Sequence, residues 1–530
     1  MSTALAPSLI PDSSESSRIV WTGVDRNKYD WWRSELGGKW PLWVGIGGLL
    51  LFVVGLSAPL IDPDLPMHLA TGAWILQHHA VPWVEPFAWT RSGAPYYAYS
   101  WFPEVAYQLS YVYGGPVALR VLHGLTQVAA GGALLWLASV NRWKAWTALV
   151  LIFLTVVTST IVAGFLRPQA VLVPLVVLSW GCGLRVLDSL HPVRWALALT
   201  VIAATSANTH LLFPLTGLPL AVAVSRSDVP ARRVILITAA LLIGWVITPY
   251  GLTWPKVFAL YFGHNPLFDY PSPITEFTPG FQFAAKDHLW LILASVLALI
   301  PWAMSDVDLT RRQRLVYGGI WLAGLVGFGM AARAIVVWWF AALPVIAIAL
   351  ERLPRPRTRS HRFVLMSTFV ALPLALIVRF GQFDVSRGLD VVPPARPSLE
   401  PLVNWLNDQV RLTVGTRPRV LTIFDYGSYL TWRLPSYSMS VDGRTIFPDS
   451  AAMPDAYRQA YGGNIPLGPW RYADLAIVPL KVPVAAVLDT AAGWVRVDSV
   501  PASRRVTLAS GLWARKEWLR VNAPNIAAVK

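Results

Sequence analysis

Long apolar runs recur along this chain, and they constrain its fold more than any other feature. They fall near 41–60, 117–138, 145–165, 169–187, 193–208, 211–225, 234–249, 288–303, 315–332, 334–350 and 363–380. A helix needs roughly twenty apolar residues to cross a hydrocarbon core. Repeated runs of that kind predict an α-helical polytopic membrane protein with about eleven transmembrane helices. The runs at 193–208 and 211–225 are short enough to form a re-entrant pair. Composition agrees, with 55% of residues hydrophobic and only 14% charged.

The formal charge of +15 and pI near 10.0 would suit a nucleic-acid binder, but the placement of the charges argues for topology instead. Arg142 and Lys144, Arg185 and Arg194, Arg226, Arg232 and Arg233, and Arg311, Arg312 and Arg314 alternate with loops that hold only isolated basic residues: Arg91, Arg167, Lys256, Lys286 and Arg333. The densest basic run, 351–362, lies on the same side as the first set. Lys and Arg accumulate in cytoplasmic loops. The chain is therefore expected to start inside and to bind membrane lipids, with no nucleic acid. This gives a cytoplasmic tail over 1–40, a transmembrane domain over 41–380 with long outer loops at 61–116 and 250–287, and an external domain over 381–530. The tail lacks the short basic region and small-residue cleavage site of a signal peptide. The single cysteine, Cys182, rules out intrachain disulfides.

Residues 381–530 change character. Strand-like runs at 419–424, 437–441, 475–479, 494–500 and 505–508 alternate with helix-like ones at 426–433, 453–461 and 484–492. That alternation predicts a small α/β domain.

The first apolar run ends at an acidic turn, Ile61-Asp62-Pro63-Asp64-Leu65-Pro66-Met67-His68. Carboxylates beside a membrane are costly and mark function by default. Pro66 suits the first turn of a helix, which would put Asp62 and Asp64 at its positive end and His68 on the same face as Asp64. The simpler reading is that Asp64 only caps that helix, worth about 1 kcal/mol; it leaves Asp62 unexplained. His79 lies eleven residues beyond His68, about 16 Å along one helix, so His78 and His79 cannot share an ion with His68. No Gly-rich phosphate loop with Lys-Ser/Thr and no Cys/His zinc cluster is present.

A first span followed by an acidic outer turn, a long aromatic first loop, about eleven spans and a C-terminal external domain resembles the GT-C glycosyltransferase superfamily. Asp62-Pro63-Asp64 is similar to the Asp-Pro element after the first span of oligosaccharyltransferase subunits. The longer pattern resembles a set of bacterial GT-C-like proteins without assigned reactions: Asp62 to Gly72, Pro82 to Thr90, Trp101 to Glu104, Arg167-Pro-Gln169, Asn208, Pro249-Tyr-Gly251, Ile274-Thr-Glu276 and Asp442-Gly-Arg444. The Trp-Trp-Asp signature of oligosaccharyltransferases and the Asp-Glu pair of O-mannosyltransferases are absent.

The resemblance implies an inverting sugar transfer on the outer face of a bacterial cytoplasmic (inner) membrane. The donor would be a polyprenyl-phosphate-linked sugar and the acceptor a glycan, lipid or protein. Asp64 is the candidate base and Asp62 its partner, or both hold a divalent cation such as Mg or Mn through hard oxygens. His68, Glu104 and Glu276 complete the candidate catalytic set. Arg167, Arg333, Asn208, His210 and Glu85 are candidates for binding donor or acceptor. Each has a structural alternative: snorkelling for the two arginines, turn satisfaction for Asn208 and His210, a solvated loop charge for Glu85. A structural Asp–Arg turn is the simpler reading of Asp442-Gly443-Arg444. Two other activities stay open, a lipid-linked glycan ligase or polymerase and a non-catalytic glycolipid-binding or assembly protein. A transporter is disfavoured by the lack of an internal repeat.

Overall fold

The computed structural model describes residues 40–57, 60, 62–157, 166–262, 309–330, 334–352, 396–442, 472–503 and 509–527. Its first part is helical: α1 (Trp40–Ser57), α2 (Leu65–His78), α3 (Trp101–Asn141), α4 (Ala145–Val157), α5 (Pro168–Asp188), α6 (Pro192–Ala207), α7 (Leu218–Ser225), α8 (Ala231–Val246), α9 (Trp254–Phe262), α10 (Arg311–Met330) and α11 (Ile335–Arg352). These helices carry the expected apolar runs, except those near 288–303 and 363–380, which lie outside the described residues. Among the described residues α3 and α5 are long and apolar enough to cross a membrane. A third crossing is added if Ala231–Val246 and Gly251–Tyr261, bent by 98°, form one span. Several other apolar helices are shorter than a full crossing. One reason is local punctuation: the 211–225 run opens as a 3-10 turn, Phe213–Gly217, before α7 begins.

α3 is the central element, packing against α1, α2, α4 and α5. It begins inside what the sequence assigns to the outer loop and bends at Gly115, whose φ of 59° and ψ of −152° break the helix just before Pro116. Proline has no N–H to give the preceding turn and its ring clashes there. α1 crosses α3 at Gly55 and Gly124, where a Cβ on Gly55 would sit 2.5 Å from the Gly124 Cα. Small residues at a crossing let two backbones meet.

The C-terminal part holds α12 (Arg396–Gln409), α13 (Phe424–Arg433), α14 (Pro483–Thr490) and α15 (Lys516–Asn522) around five strands. These are β1 (Arg419–Thr422), β2 (Ser438–Met439), β3 (Leu475–Pro479), β4 (Trp494–Val500) and β5 (Ser510–Arg515), in the order β2-β1-β3-β5-β4. β2, β1 and β3 are parallel, while β5 runs antiparallel to both β3 and β4. β3 is buried along its whole length, as its unbroken apolar sequence requires of a strand covered on both faces. The expected strand at 505–508 lies outside the described residues, and β5 starts after it. The expected helix at 453–461 also lies outside the described residues.

This domain grips the segment between α2 and α3. The Met439 N–H and Ser438 hydroxyl both donate to the Phe87 carbonyl, the Thr90 hydroxyl donates to Ser440 O, and Arg417 Nη1 donates to Pro86 O. Residues around Ala88 thus bridge to the β2 edge, covering backbone that an exposed edge would leave unpaired. α13 packs on α2. Its Trp432 meets two small clusters there, one around Leu65, Leu69 and Tyr107 and one around Met67, Ala70 and Phe87.

Candidate active site

The site is built where α1 gives way to α2. Asp64 occupies the N-cap position of α2, yet its side chain makes no capping hydrogen bond. Asp62 braces the turn instead, its Oδ1 accepting the Asp64 N–H at 2.9 Å. The capping reading of Asp64 therefore fails, and its carboxylate is directed elsewhere.

Both carboxylates meet Arg167. Its Nε donates to Asp62 Oδ2 at 2.7 Å, and its Nη2 lies 3.2 Å from Asp64 Oδ2. Arg167 holds the N-cap position of α5 in extended backbone, with Pro168 following. A residue before proline is pushed out of the helical region, which fixes the arginine at the mouth of the helix. The two acids differ in exposure: the Asp62 side chain is 1% exposed and that of Asp64 33%. Asp62 is thus a buried anchor, and Asp64 is the carboxylate open to a reactant.

His68 and Glu104 form a second pair, with Nδ1–H donating to Oε1 at 2.9 Å. Burial opposes charge on His68, but the Glu104 hydrogen bond and the nearby Glu104, Asp64 and Asp62 carboxylates hold its pKa above the ordinary value. Glycine sets this contact. A Cβ on Gly72, one turn along α2, would lie 2.2 Å from the Glu104 carbonyl oxygen, so only glycine lets α2 approach α3 this closely. Gly72→Ala should cost about 1–3 kcal/mol through overpacking. Gly132→Ala, on the same α3 but facing open space, should leave stability unchanged or raise it slightly. Thermal melts of the two variants in detergent would check the contrast.

Tyr107 is a member of this site that the sequence reading passes over. It is fully buried, lies three residues from Glu104 on α3, and meets the His68 ring edge-on at 6.3 Å. Among the described residues neither its hydroxyl nor Glu104 Oε2 has a hydrogen-bond partner. The helical spacing from Glu104 was the available signal.

The remaining candidates stand apart from these pairs in their bonding. Glu85 is buried and accepts the Phe87 and Ala88 N–H groups at 2.8 and 3.0 Å, with Arg91 at 3.8 Å. It shapes its own loop. Asn208 accepts from Trp101 Nε1 and donates to the carbonyls of Ala204 and Ile247, tying together the ends of α3, α6 and α8. His210 Nδ1 accepts the Leu212 N–H, and its ring meets Tyr99 edge-on. His78 caps the end of α2 by bonding to Trp74 O, and His79 takes the left-handed conformation there. Asp442 is buried beside Gly427; Gly443 and Arg444 lie outside the described residues, as do Glu276 and Arg333.

The cation between Asp62 and Asp64 is the Arg167 guanidinium, and no group of three His, Cys, Asp or Glu side chains among the described residues could hold a metal. Hard-cation sites need several oxygen ligands, and Glu276, a further acidic candidate, lies outside the described residues.

The fold is similar to that of several solved glycosyltransferases, in line with the GT-C resemblance of the sequence. The solved structures it is similar to include the arabinofuranosyltransferase AftD from Mycobacteria, with 16% identity, TM-score 0.57, and coverage of 89% of this chain and 40% of AftD. ArnT from Cupriavidus metallidurans matches with 14% identity and TM-score 0.52, covering 89% of this chain and 98% of ArnT. The oligosaccharyltransferase of Archaeoglobus fulgidus in its apo form matches with 9% identity and TM-score 0.56, over 84% and 70%. The chain thus spans less than half the length of AftD. No family model and no curated protein matches it by sequence.

Proposed function

We propose that the chain is a membrane glycosyltransferase that moves a sugar from a polyprenyl-phosphate-linked donor to an acceptor, with inversion, on the outer face of a bacterial cytoplasmic membrane. One observation carries this reading. Within a GT-C fold, a partly exposed carboxylate, Asp64, is held in place by Arg167 and a buried second carboxylate, Asp62. A carboxylate positioned beside an acceptor hydroxyl or amide takes its proton as the bond to the anomeric carbon forms, a contribution of about 10²–10⁴-fold. Arg167 and Asp62 hold Asp64 in one orientation, which avoids reorganisation at the moment of reaction. The donor class is supported by ArnT, whose structure was solved bound to undecaprenyl phosphate. The sheet domain and the outer loops lie on the external side by the charge asymmetry of the sequence.

Mass spectrometry of envelope glycans, glycolipids and glycoproteins from cells with and without the protein tests the proposal. One sugar should be missing from one acceptor class, restored by the wild-type gene and not by an Asp64→Asn copy. Restoration by that copy would point to a glycolipid-binding or assembly role instead.

A further inference from the structure

His68 has a ring nitrogen that the acidic turn leaves unused. Nδ1 is spent on Glu104, while Nε2 makes no hydrogen bond among the described residues and the side chain is 18% exposed. The arrangement is that of an imidazole oriented by a carboxylate, which fixes which nitrogen faces the reactant. Arg167, the other cation of the site, is bound to both Asp62 and Asp64, so it neutralises the turn and has less charge to lend a leaving group.

We propose that His68 presents its Nε2–H to the departing lipid phosphate while Glu104 holds the ring. This rests on the sugar-transfer reading above. In the step, the acceptor oxygen bonds to the anomeric carbon and its proton passes to Asp64. The bond from that carbon to the phosphate oxygen breaks, its electron pair staying on the phosphate. His68 keeps its protons and gives the new anionic oxygen a charge-assisted hydrogen bond.

The groups around His68 favour its charged form. Glu104 and Tyr107 face it from α3, and Asp62 and Asp64 stand at the start of its own helix. From α5 comes Arg167, already paired with both aspartates. α13, packed on α2, carries Asp425 and Arg433, the latter tied to Glu400. With its pKa raised, His68 carries charge below that value and loses it as pH rises through it.

The test is binding of undecaprenyl phosphate to the purified full chain in detergent, from about pH 6 to about pH 9, a range that spans histidine titration. His68→Asn is the informative variant, because its amide can replace Nδ1 on Glu104 and has nothing at Nε2. Wild type should bind about tenfold more tightly than His68→Asn at the acid end, with the ratio approaching one at the alkaline end. The lipid's own titration cancels in that ratio. Glu104→Gln should move the fall to lower pH, a shift that loss of packing alone would not produce. Should His68→Asn not fold, as judged by its melt, His68→Gln replaces it; that change keeps a neutral donor near Nε2 and should flatten the pH dependence. Wild-type binding with a ratio of one at every pH would overturn the role of His68 and leave the lipid-phosphate reading standing. No binding by wild type at any pH would overturn that reading, and this inference with it.

Discussion

Replacing Asp64 by Asn should lower sugar transfer by about a hundredfold or more, while the melting temperature stays near that of wild type. Asn keeps the shape of Asp but cannot take a proton. If the side chain were a helix cap, Asn would serve almost equally well. The structure removes that ambiguity, because Asp64 makes no capping bond and the turn is braced by Asp62. A third of the Asp64 side chain is exposed, so losing its charge strands no buried partner; Arg167 keeps its bond to Asp62. Rates measured beside melting curves separate the two readings. Full transfer by Asp64→Asn would end the assignment of this carboxylate as the base.

Arg167→Met should act on stability as well as on rate. Asp62 is almost wholly buried and its Oδ2 is bound by Arg167 Nε. Removing the guanidinium leaves a buried carboxylate with one backbone N–H, and breaking a buried pair from one side costs about 3–5 kcal/mol. Adding Asp62→Asn to Arg167→Met should restore part of the loss, since the stranded charge is gone; the interaction is read from a double-mutant cycle. Denaturation of the single and double variants at neutral pH would check this. A single variant as stable as wild type at neutral pH would show that the pair is not buried as described.

Arg91 illustrates how exposure misleads a sequence reading. In the sequence it is an isolated basic residue in a loop, beside Ser92 and Gly93. In the fold it is buried with Glu85, and it would make a poor neutral control for substitutions elsewhere.

The acidic turn, the start of α2 and most strands of the C-terminal sheet were legible because their signals are local. Proline and turn chemistry act on neighbouring residues, and apolar runs of strand length mark β1 and β3. His68 could be placed near Asp64 because four residues make one helical turn. The sequence singled out Arg167 and Glu104, and Asp62, Asp64 and His68 as well, but not which pairs with which. Arg167 reaches Asp62 across 105 positions and Glu104 reaches His68 across 36. Glu85 and Asn208 were legible as polar candidates for binding donor or acceptor, not as the ties they make within the chain. Their hydrogen bonds to Phe87 and Ala88, and to Ala204 and Ile247, depend on how the chain folds back.

By itself the sequence determined the apolar, helical character of the described residues up to Arg352, the change to strand and helix from Arg396 on, and the acidic turn as the place to look. Hydropathy, period and charge placement are properties of contiguous residues, so they survive without coordinates. Only the tertiary structure decided that Asp62 is the buried carboxylate and Asp64 the open one, that Arg167 pairs with both, and that Trp432 of the sheet domain packs on α2. Those outcomes turn on backbone approach, above all at Gly72 against Glu104 and Gly55 against Gly124. The absence of a side chain acts there through whatever lies opposite, and sequence order does not say what that is.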